Sequence, residues 1–237
     1  MLQIKNLSVK VEEKQILNQI SFDFETGKNY CILGKNGSGK SSLAMTLAGN
    51  PKYEISEGEL LLDGQNLTEM SPDERNKAGI FLTFQNIPEV PGVKLFEFLK
   101  TIYDARAEKP STFLEFKKII EPLMAELEIE KAFLWRDLNV GFSGGEKRKI
   151  EVLQIKLLKP KYIILDEIDS GLDVNAVRQV AELLKAVNTE ENSFIVITHL
   201  FEMLQELPLE KILILEQGKI KAIGGRELMD QVRKEGF

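Results

Sequence analysis

The sequence predicts an α/β fold: a buried parallel sheet with helices on its faces, an antiparallel β-subdomain and a helical subdomain. Three patterns lead to this prediction. Apolar and polar residues alternate within residues 1–30, as in half-exposed antiparallel strands. Apolar runs at 162–165 and 193–198 enclose a helical stretch at about 174–188, the alternation that produces a parallel sheet. From about residue 95 to 140, apolar residues recur at helical spacing instead.

A buried strand predicted at 30–33 leads into a phosphate-binding loop of the pattern G-x-x-x-x-G-K-[ST]. The loop consists of Gly34, Lys35, Asn36, Gly37, Ser38, Gly39, Lys40 and Ser41. Its glycines let successive backbone N–H groups point inward, and the helix predicted at 42–48 directs its positive end at the same place. In such loops the lysine reaches the β- and γ-phosphates and the following hydroxyl ligates Mg²⁺. We therefore expect the chain to bind a nucleoside triphosphate.

The remaining elements follow from local patterns. Residues 59–64 read as a strand that ends in an Asp-Gly turn, and residues 80–84 form another short apolar run. From about residue 211 we expect two short strands around Gln217 and Gly218, followed by a final helix. Together with the helical insert, these elements fit a single domain over 1–237 in which a helical subdomain at about 94–142 interrupts the nucleotide-binding core.

Two carboxylates end the strand predicted at 162–165. Asp166 lies where a strand carboxylate holds Mg²⁺, directly or through water, and Glu167 is placed to polarise an attacking water. Consecutive strand residues point to opposite faces, so Glu167 has to turn towards the γ-phosphate at the carboxyl end of the strand. An acidic strand end is common, but after a phosphate-binding loop it indicates a second nucleotide motif.

A third motif opens the helix predicted at 147–158. It consists of Ser143, Gly144, Gly145 and Glu146. A Ser-Gly-Gly start leaves backbone N–H groups free to form an anion site. The alternative is an ordinary helix with a serine N-cap.

The composition of the chain excludes several classes of binding partner and cofactor. The net charge is −6 and the sequence pI about 5.2, which argues against nucleic acid and anionic membrane surfaces as main partners. Cys31 is the only cysteine, so no internal disulfide or cluster-binding set is expected, and a core role is predicted for it. The N-terminus lacks signal-peptide features and no run of about 18 apolar residues occurs. We expect a cytoplasmic protein with no direct membrane insertion.

In this order and spacing, the motifs resemble those of the ATP-binding cassette (ABC) ATPases, P-loop NTPases with a RecA-like core, over essentially the whole chain. Residues 34–41 match the Walker A motif, Gln85 the Q-loop glutamine, 143–146 the signature, and Asp166 and Glu167 Walker B with its catalytic glutamate. Residues 170–173 match the D-loop and His199 the switch histidine. In this family two cassettes pair head to tail, so the resemblance implies a transient, ATP-dependent homodimer.

The resemblance also implies the reaction ATP + H₂O → ADP + phosphate and a role for each matched residue. It implies catalytic roles for Lys40, Glu167 and His199, and Mg²⁺ ligation by Ser41, Gln85 and Asp166. Nucleotide contacts are implied for the loop residues, Ser42, Gln85, the signature residues Ser143, Gly144, Gly145 and Glu146, and Asp173.

Departures from the commoner transporter cassettes point to one branch of the family. An aliphatic residue, Val11, stands where an aromatic usually stacks on adenine, and the signature begins with Phe142 and ends with Glu146. With the segments 79–85, 88–93, 165–173 and 235–237, these features are similar to the SufC-type ATPases of iron–sulfur cluster assembly. One mismatch is Leu200, where that branch has an aromatic.

The SufC resemblance implies SufB/SufD-type scaffold proteins as partners. Two alternatives are a nucleotide-binding subunit of an ABC transporter, and a nucleotide-gated clamp in which turnover is incidental. The expected docking surface includes the exposed-looking segment 88–91, for which a solvated proline loop is the alternative.

Overall fold

The computed structural model describes residues 1–168, 174–198, 204 and 207–235. These residues form two compact units. The first comprises Met1–Thr83, Pro160–Ile168 and the described part of 188–237, and the second comprises Phe84–Lys159 and the described part of 169–187. The second unit includes the whole of the predicted insert at 94–142.

Strands and helices alternate along much of the described chain. The strands are β1 Leu2–Val11, β2 Lys14–Phe24, β3 Asn29–Leu33, β4 Glu54–Leu62, β5 Gln65–Asn66, β6 Ile80–Leu82, β7 Val90–Lys94, β8 Asp137–Leu138, β9 Tyr162–Asp166, β10 Ser193–Ile197, β11 Leu209–Glu216 and β12 Lys219–Gly224. The helices are α1 Lys40–Leu47, α2 Pro72–Ala78, α3 Leu95–Asp104, α4 Phe113–Glu126, α5 Gly144–Leu158, α6 Val174–Val187 and α7 Arg226–Glu235, with a 3₁₀ helix at Lys131–Trp135.

The first unit contains two sheets. A six-stranded sheet has the order β12-β11-β3-β10-β9-β6, and all its strands are parallel except β12, which pairs antiparallel with β11. A four-stranded antiparallel sheet has the order β2-β1-β4-β5. The predicted α/β class, with a parallel core and an antiparallel β-subdomain, is therefore confirmed.

The central strands of the parallel sheet are fully buried. Every residue of β3, β9 and β10 is buried, as expected for central parallel strands covered on both faces. Cys31 lies in β3 and is fully buried, which confirms its core role. The hydroxyl of Tyr162 accepts a hydrogen bond from Leu2 N (3.0 Å) and donates one to Phe24 O (2.7 Å), so the first strand of the β-subdomain is fixed to the parallel sheet.

Both tight turns predicted from sequence are present. Strands β4 and β5 are joined by Asp63 and Gly64, with φ of 50° and 84°, and strands β11 and β12 by Gln217 and Gly218, with φ of 48° and 75°. Positive φ at both central residues is the turn that matches the right-handed twist of a hairpin.

The second unit is mainly helical, as the apolar spacing predicts, but it also holds a short antiparallel ribbon of β7 and β8. The alternative of a solvated proline loop at 88–91 is wrong in part, because Val90 begins β7 and pairs with Leu138. Proline and glycine inside this strand hide its signal, and its pairing is supported by side chains: Lys94 Nζ lies 2.7 Å from Asp137 Oδ1.

Candidate nucleotide site

The phosphate-binding loop connects β3 to α1 and depends on glycine at two points. Gly39 is the N-cap of α1 with φ of 106°. No N-cap side chain accepts a hydrogen bond from the first backbone N–H groups of this helix. At Gly34, a Cβ atom would lie 2.3 Å from the carbonyl oxygen of Leu215. The loop therefore lies so close to the neighbouring strand β11 that only glycine fits at this position.

Lys40 carries a buried ammonium inside this loop. Its side chain donates to Gly34 O (2.8 Å) and Lys35 O (3.1 Å), and the residue is 5% exposed. Burial lowers the pKa of Lys40, while the carboxylates of Glu167 and Asp166 act in the opposite direction. A positive charge is thus held next to the loop by two backbone carbonyls, ready for a stronger anionic partner.

Ser41 and Asp166 are brought together from two distant strands. The Ser41 hydroxyl donates to Asp166 Oδ1 at 3.2 Å. Strand β10 lies between β3 and β9, and all three are parallel, so their carboxyl ends meet at one edge of the sheet. Burial raises the pKa of Asp166, and the Glu167 carboxylate adds to that rise. A hydroxyl and a carboxylate at this spacing are the oxygen donors that Mg²⁺ prefers.

Glu167 turns out of the strand, as the sequence requires for contact with a phosphate. Its φ is 47°, in the left-handed region, and its N–H donates to Ile197 O at 2.8 Å. A non-glycine residue in this region costs of order 1–3 kcal/mol, a strain found at functional sites. Because its charge acts on the pKa of both Lys40 and Asp166, these three groups form one electrostatic cluster.

Asp166→Asn is expected to stabilise the nucleotide-free protein. A carboxyl whose pKa is raised in the folded state lowers the folding stability as the pH rises from its unfolded-state pKa, about 3.9, to its folded-state pKa, and an amide removes this cost. Asparagine keeps an oxygen for the Ser41 hydroxyl. We expect the midpoint of thermal unfolding at pH 7 to rise by about 2–4 °C, the scale of roughly 1 kcal/mol for a chain of this length.

The same variant is expected to lose its stabilisation by Mg-ATP. Thermal unfolding with and without Mg-ATP measures both effects, and without nucleotide the difference between wild type and variant should vanish below about pH 3.9, the pKa of aspartate in the unfolded chain. An unchanged or lowered midpoint at pH 7 would contradict the assigned electrostatic cost.

The signature residues and Gln85 belong to the second unit. Ser143 is the N-cap of α5, where Glu146 N donates to its hydroxyl (3.3 Å) and Ser143 N donates to Glu146 Oε2 (2.7 Å). This capping box confirms the N-capped helix start that is the alternative reading, and the anion site at Ser143 to Glu146 stays a prediction. The backbone hydrogen bond from Ser143 lowers the pKa of Glu146, so a carboxylate stands there. Gln85 is exposed, and its backbone carbonyl accepts from Arg148 Nη2 at 3.2 Å.

Several predicted residues stand apart from this geometry. Two predicted segments, 170–173 with Asp173 and 199–200 with His199, lie outside the described residues. Their roles therefore stay predictions. Ser42 is on α1, half-buried, and its carbonyl accepts from the Thr46 hydroxyl at 2.7 Å. Val11 is half-buried at the end of β1.

Sequence reasoning missed two charged residues on the signature helix. Arg148 and Glu151 are both buried and in contact with each other. The sequence feature that could have indicated them is a pair of opposite charges at i and i+3 on a helix that also carries the buried residues Ile150, Val152 and Leu153.

Comparison with known proteins identifies the family of the chain. The model of the ABC transporter family matches residues 17–170. The chain belongs to the ABC ATPase family. It is thus an ATPase.

Relatives match over the full length of this ABC ATPase. It is 39% identical over 241 residues to the probable ATP-dependent transporter SufC of Escherichia coli, covering 100% of this chain and 97% of that one. It is 41% identical to the probable ATP-dependent transporter ycf16 of Antithamnion sp., covering 100% and 96%. The similarity to SufC-type sequences expected from the motifs is confirmed.

Solved structures agree on the fold. A structure of the ATP-binding subunit of an ABC transporter superposes with a TM-score of 0.80 at 24% identity, covering 100% of this chain and 93% of that one. The dimeric ATP-binding cassette MJ0796 bound to ADP and phosphate superposes with a TM-score of 0.79 at 22% identity, covering 94% and 98%. Both confirm the cassette fold.

Proposed function

We propose that this chain hydrolyses Mg-ATP to drive a conformational change in an iron–sulfur cluster assembly scaffold of the SufB/SufD type. The ATPase part rests on one observation above the others, the Ser41–Asp166 contact of 3.2 Å beside Lys40 and Glu167. The assembly role is supported by 39% identity to SufC over the whole chain. We propose that residues 1–237 act as one ABC ATPase domain, with the insert at about 94–142 as its helical subdomain.

Each residue proposed for the site has its own role in the reaction. Lys40 exchanges its two loop carbonyls for phosphate oxygens, and the loop amides at the start of α1 stabilise charge that develops on the phosphoryl group. Glu167 accepts a hydrogen bond from the attacking water and holds it for in-line attack. His199 and Gln85 are proposed to contact the γ-phosphate and its metal. The bond between the β–γ bridging oxygen and the γ-phosphorus breaks, and water supplies the new oxygen.

Ser41 and Asp166 fit a bound Mg²⁺, with Gln85 as a further proposed ligand. When bound, Mg²⁺ neutralises charge on the β- and γ-phosphate oxygens. Three protein oxygens are fewer than the six that Mg²⁺ takes, so phosphate oxygens and water would supply the rest.

We propose that turnover takes place in a transient homodimer. The signature helix start, Ser143 to Glu146, presents backbone N–H groups that would complete the phosphate site of a second copy, and Asp173 would contact the partner at the same interface. A net charge of −6 on each copy opposes pairing at low salt, so a scaffold that binds two copies would promote it by raising their effective concentration. We expect the free chain to be a slow, mostly monomeric ATPase.

We propose a cytoplasmic location. Within the part of the chain that the structure describes, no helix is long and apolar enough to cross a bilayer. The net negative charge supports partners other than nucleic acid or anionic lipid.

Partner identity tests the assembly role. Affinity purification of the tagged chain from its native cells, followed by mass spectrometry, is expected to recover soluble scaffold proteins in stoichiometric amount. The names of the relatives, which describe transporters, favour a second candidate, the nucleotide-binding subunit of an ABC transporter. Recovery of a multi-span membrane protein in place of the scaffold would establish that candidate and refute ours.

The proposed docking surface surrounds Glu89, between Gln85 and the helical insert. Glu89 is exposed, and its carboxylate lies 2.8 Å from Lys147 Nζ on α5, while Asn139 Nδ2 donates to Pro88 O at 2.9 Å. The segment is therefore held in a defined position by contacts within the second unit. A preformed surface of this kind loses less conformational freedom on binding than a mobile loop.

Charge reversal at Glu89 is expected to weaken scaffold binding about tenfold, the scale of one interfacial charge, and to leave ATP affinity unchanged. The matched control is Glu89→Lys combined with Lys147→Glu, which restores the ion pair but keeps the reversed charge at position 89. Calorimetric titration of scaffold and of ATP separates the two effects. If ATP affinity falls instead, or if the control restores scaffold binding fully, the docking surface is misplaced.

A further inference from the structure

A buried ion pair lies on the signature helix, three residues apart. Arg148 is 4% exposed and Glu151 is 5% exposed, and Arg148 Nη1 lies 2.6 Å from Glu151 Oε2. Burying two charges costs several kcal/mol of solvation each, and apolar residues of similar volume usually stabilise a fold equally well. Stability alone is therefore a poor reason for this pair.

The partners of the pair lie on the segment that carries Gln85. Arg148 donates from Nη1 to Phe84 O (2.7 Å) and from Nη2 to Gln85 O (3.2 Å). Phe84 N donates in turn to Glu151 Oε1 at 2.9 Å. Both main-chain polar groups of Phe84 and the carbonyl of Gln85 are thus satisfied by two side chains of α5. The planar guanidinium suits two adjacent carbonyls, whereas an ammonium is a single point of charge.

The same stretch is tied to the signature region at two further points. Lys147 on α5 pairs with Glu89, and Asn139, four residues before Ser143, donates to Pro88 O. Every one of these contacts is between residues of the second unit. Side chains on α5 and just before it therefore hold residues 84–89 at several points.

We infer that Arg148 and Glu151 form a positioning pair, which fixes the Gln85 main chain to the signature helix and thereby sets the Mg²⁺ requirement of turnover. This inference rests on the proposed function in one respect, the role of Gln85 at the metal. Because the pair holds the backbone, the Gln85 side chain and the signature residues 143–146 move together. A partner that shifts Glu89 shifts both.

Hydrogen exchange tests the contact without any activity measurement. The variant Arg148→Met with Glu151→Leu removes both charges but keeps the volume filled. We expect the Phe84 amide of this variant to exchange at least about tenfold faster than in the wild type. The Thr83 amide, which donates to Ile164 O at 2.9 Å, is the internal control and should not change. Equal exchange of the Phe84 amide in the two proteins would overturn the inference.

Mg²⁺ dependence tests the positioning role. The concentration of Mg²⁺ that gives half-maximal ATPase activity should rise about tenfold in the double variant, and less than about twofold when Gln85→Ala is already present. Lys156→Met with Glu126→Leu, which removes another α5 ion pair remote from residues 84–89, is the matched control. Arg148→Lys, which retains one donor, should lie between wild type and the double variant, and it serves as the test if the double variant fails to fold.

The outcomes separate this inference from the proposed function. The positioning pair is overturned if the double variant raises the half-maximal Mg²⁺ concentration equally in the presence and absence of the Gln85 side chain. It is also overturned if Gln85→Ala alone raises this concentration and the double variant does not. Both results leave the ATPase assignment intact. No effect of Gln85→Ala overturns both the pair and the metal role of that side chain. A different measurement tests the ATPase assignment itself: near wild-type turnover in Lys40→Ala would refute it.

Discussion

Lys40→Ala is expected to abolish ATP turnover, with a loss of at least about 10²–10³-fold, the scale for removing one preorganised charge from a phosphoryl-transfer site. The ammonium is already in the loop, bonded to the carbonyls of Gly34 and Lys35 and shielded from water. No other described side chain in the loop can supply the same charge in a buried position, because Lys35 is exposed. ATP affinity should fall with turnover.

Steady-state ATPase assays and calorimetric ATP titration measure this effect. Lys52→Ala, which removes an exposed lysine of the same unit, is the control and should behave as the wild type. The Lys40 variant should fold normally, because removal of a desolvated ammonium also removes its burial cost. Turnover close to the wild-type value would refute the phosphate-loop assignment.

Glu167→Gln is expected to bind Mg-ATP but to hydrolyse it at least about 10²-fold more slowly, the usual contribution of a positioned base. Glutamine has the shape of glutamate and fits the left-handed backbone at this position equally well, so only the charge is lost. Because ATP then persists in the site, a dimer with nucleotide between the copies should accumulate. Multi-angle light scattering with and without Mg-ATP measures the mass.

The control for this variant is Glu191→Gln, an exposed carboxylate of the same unit that should leave turnover and mass unchanged. A rate equal to that of the wild type would remove Glu167 from the catalytic role. Slow turnover without a change in mass would retain that role but contradict the pairing of two copies.

Much of the fold follows from local sequence. The central strands are continuous apolar runs, the two hairpin turns require left-handed residues such as Gly64 and Gly218, and the strand–loop–helix context of Lys40 is short-range. The contact of Ser41 with Asp166 joins residues 125 positions apart. Motif order places the two residues in one site, but only the parallel register of β3, β10 and β9 explains how they meet.

Contacts that depend on packing could not be predicted. The charged pair Arg148 and Glu151 looks like an ordinary exposed i, i+3 pair until the fold buries it. The segment at 88–91 contains two prolines, which suppress the strand signal, so its pairing through Val90 and the Glu89–Lys147 contact were not apparent. In both places long-range contacts outweigh local propensity.

A mixture of two inactive variants tests most directly the claim that each ATP site is shared by two copies. Lys40→Ala retains the signature, and Ser143→Arg retains Walker A but blocks the signature helix start. We expect each variant alone to be inactive. Their equimolar mixture should recover up to about a quarter of wild-type turnover, since half of random pairs are mixed and each mixed pair has one complete site. A mixture no more active than its separate components would contradict the shared site.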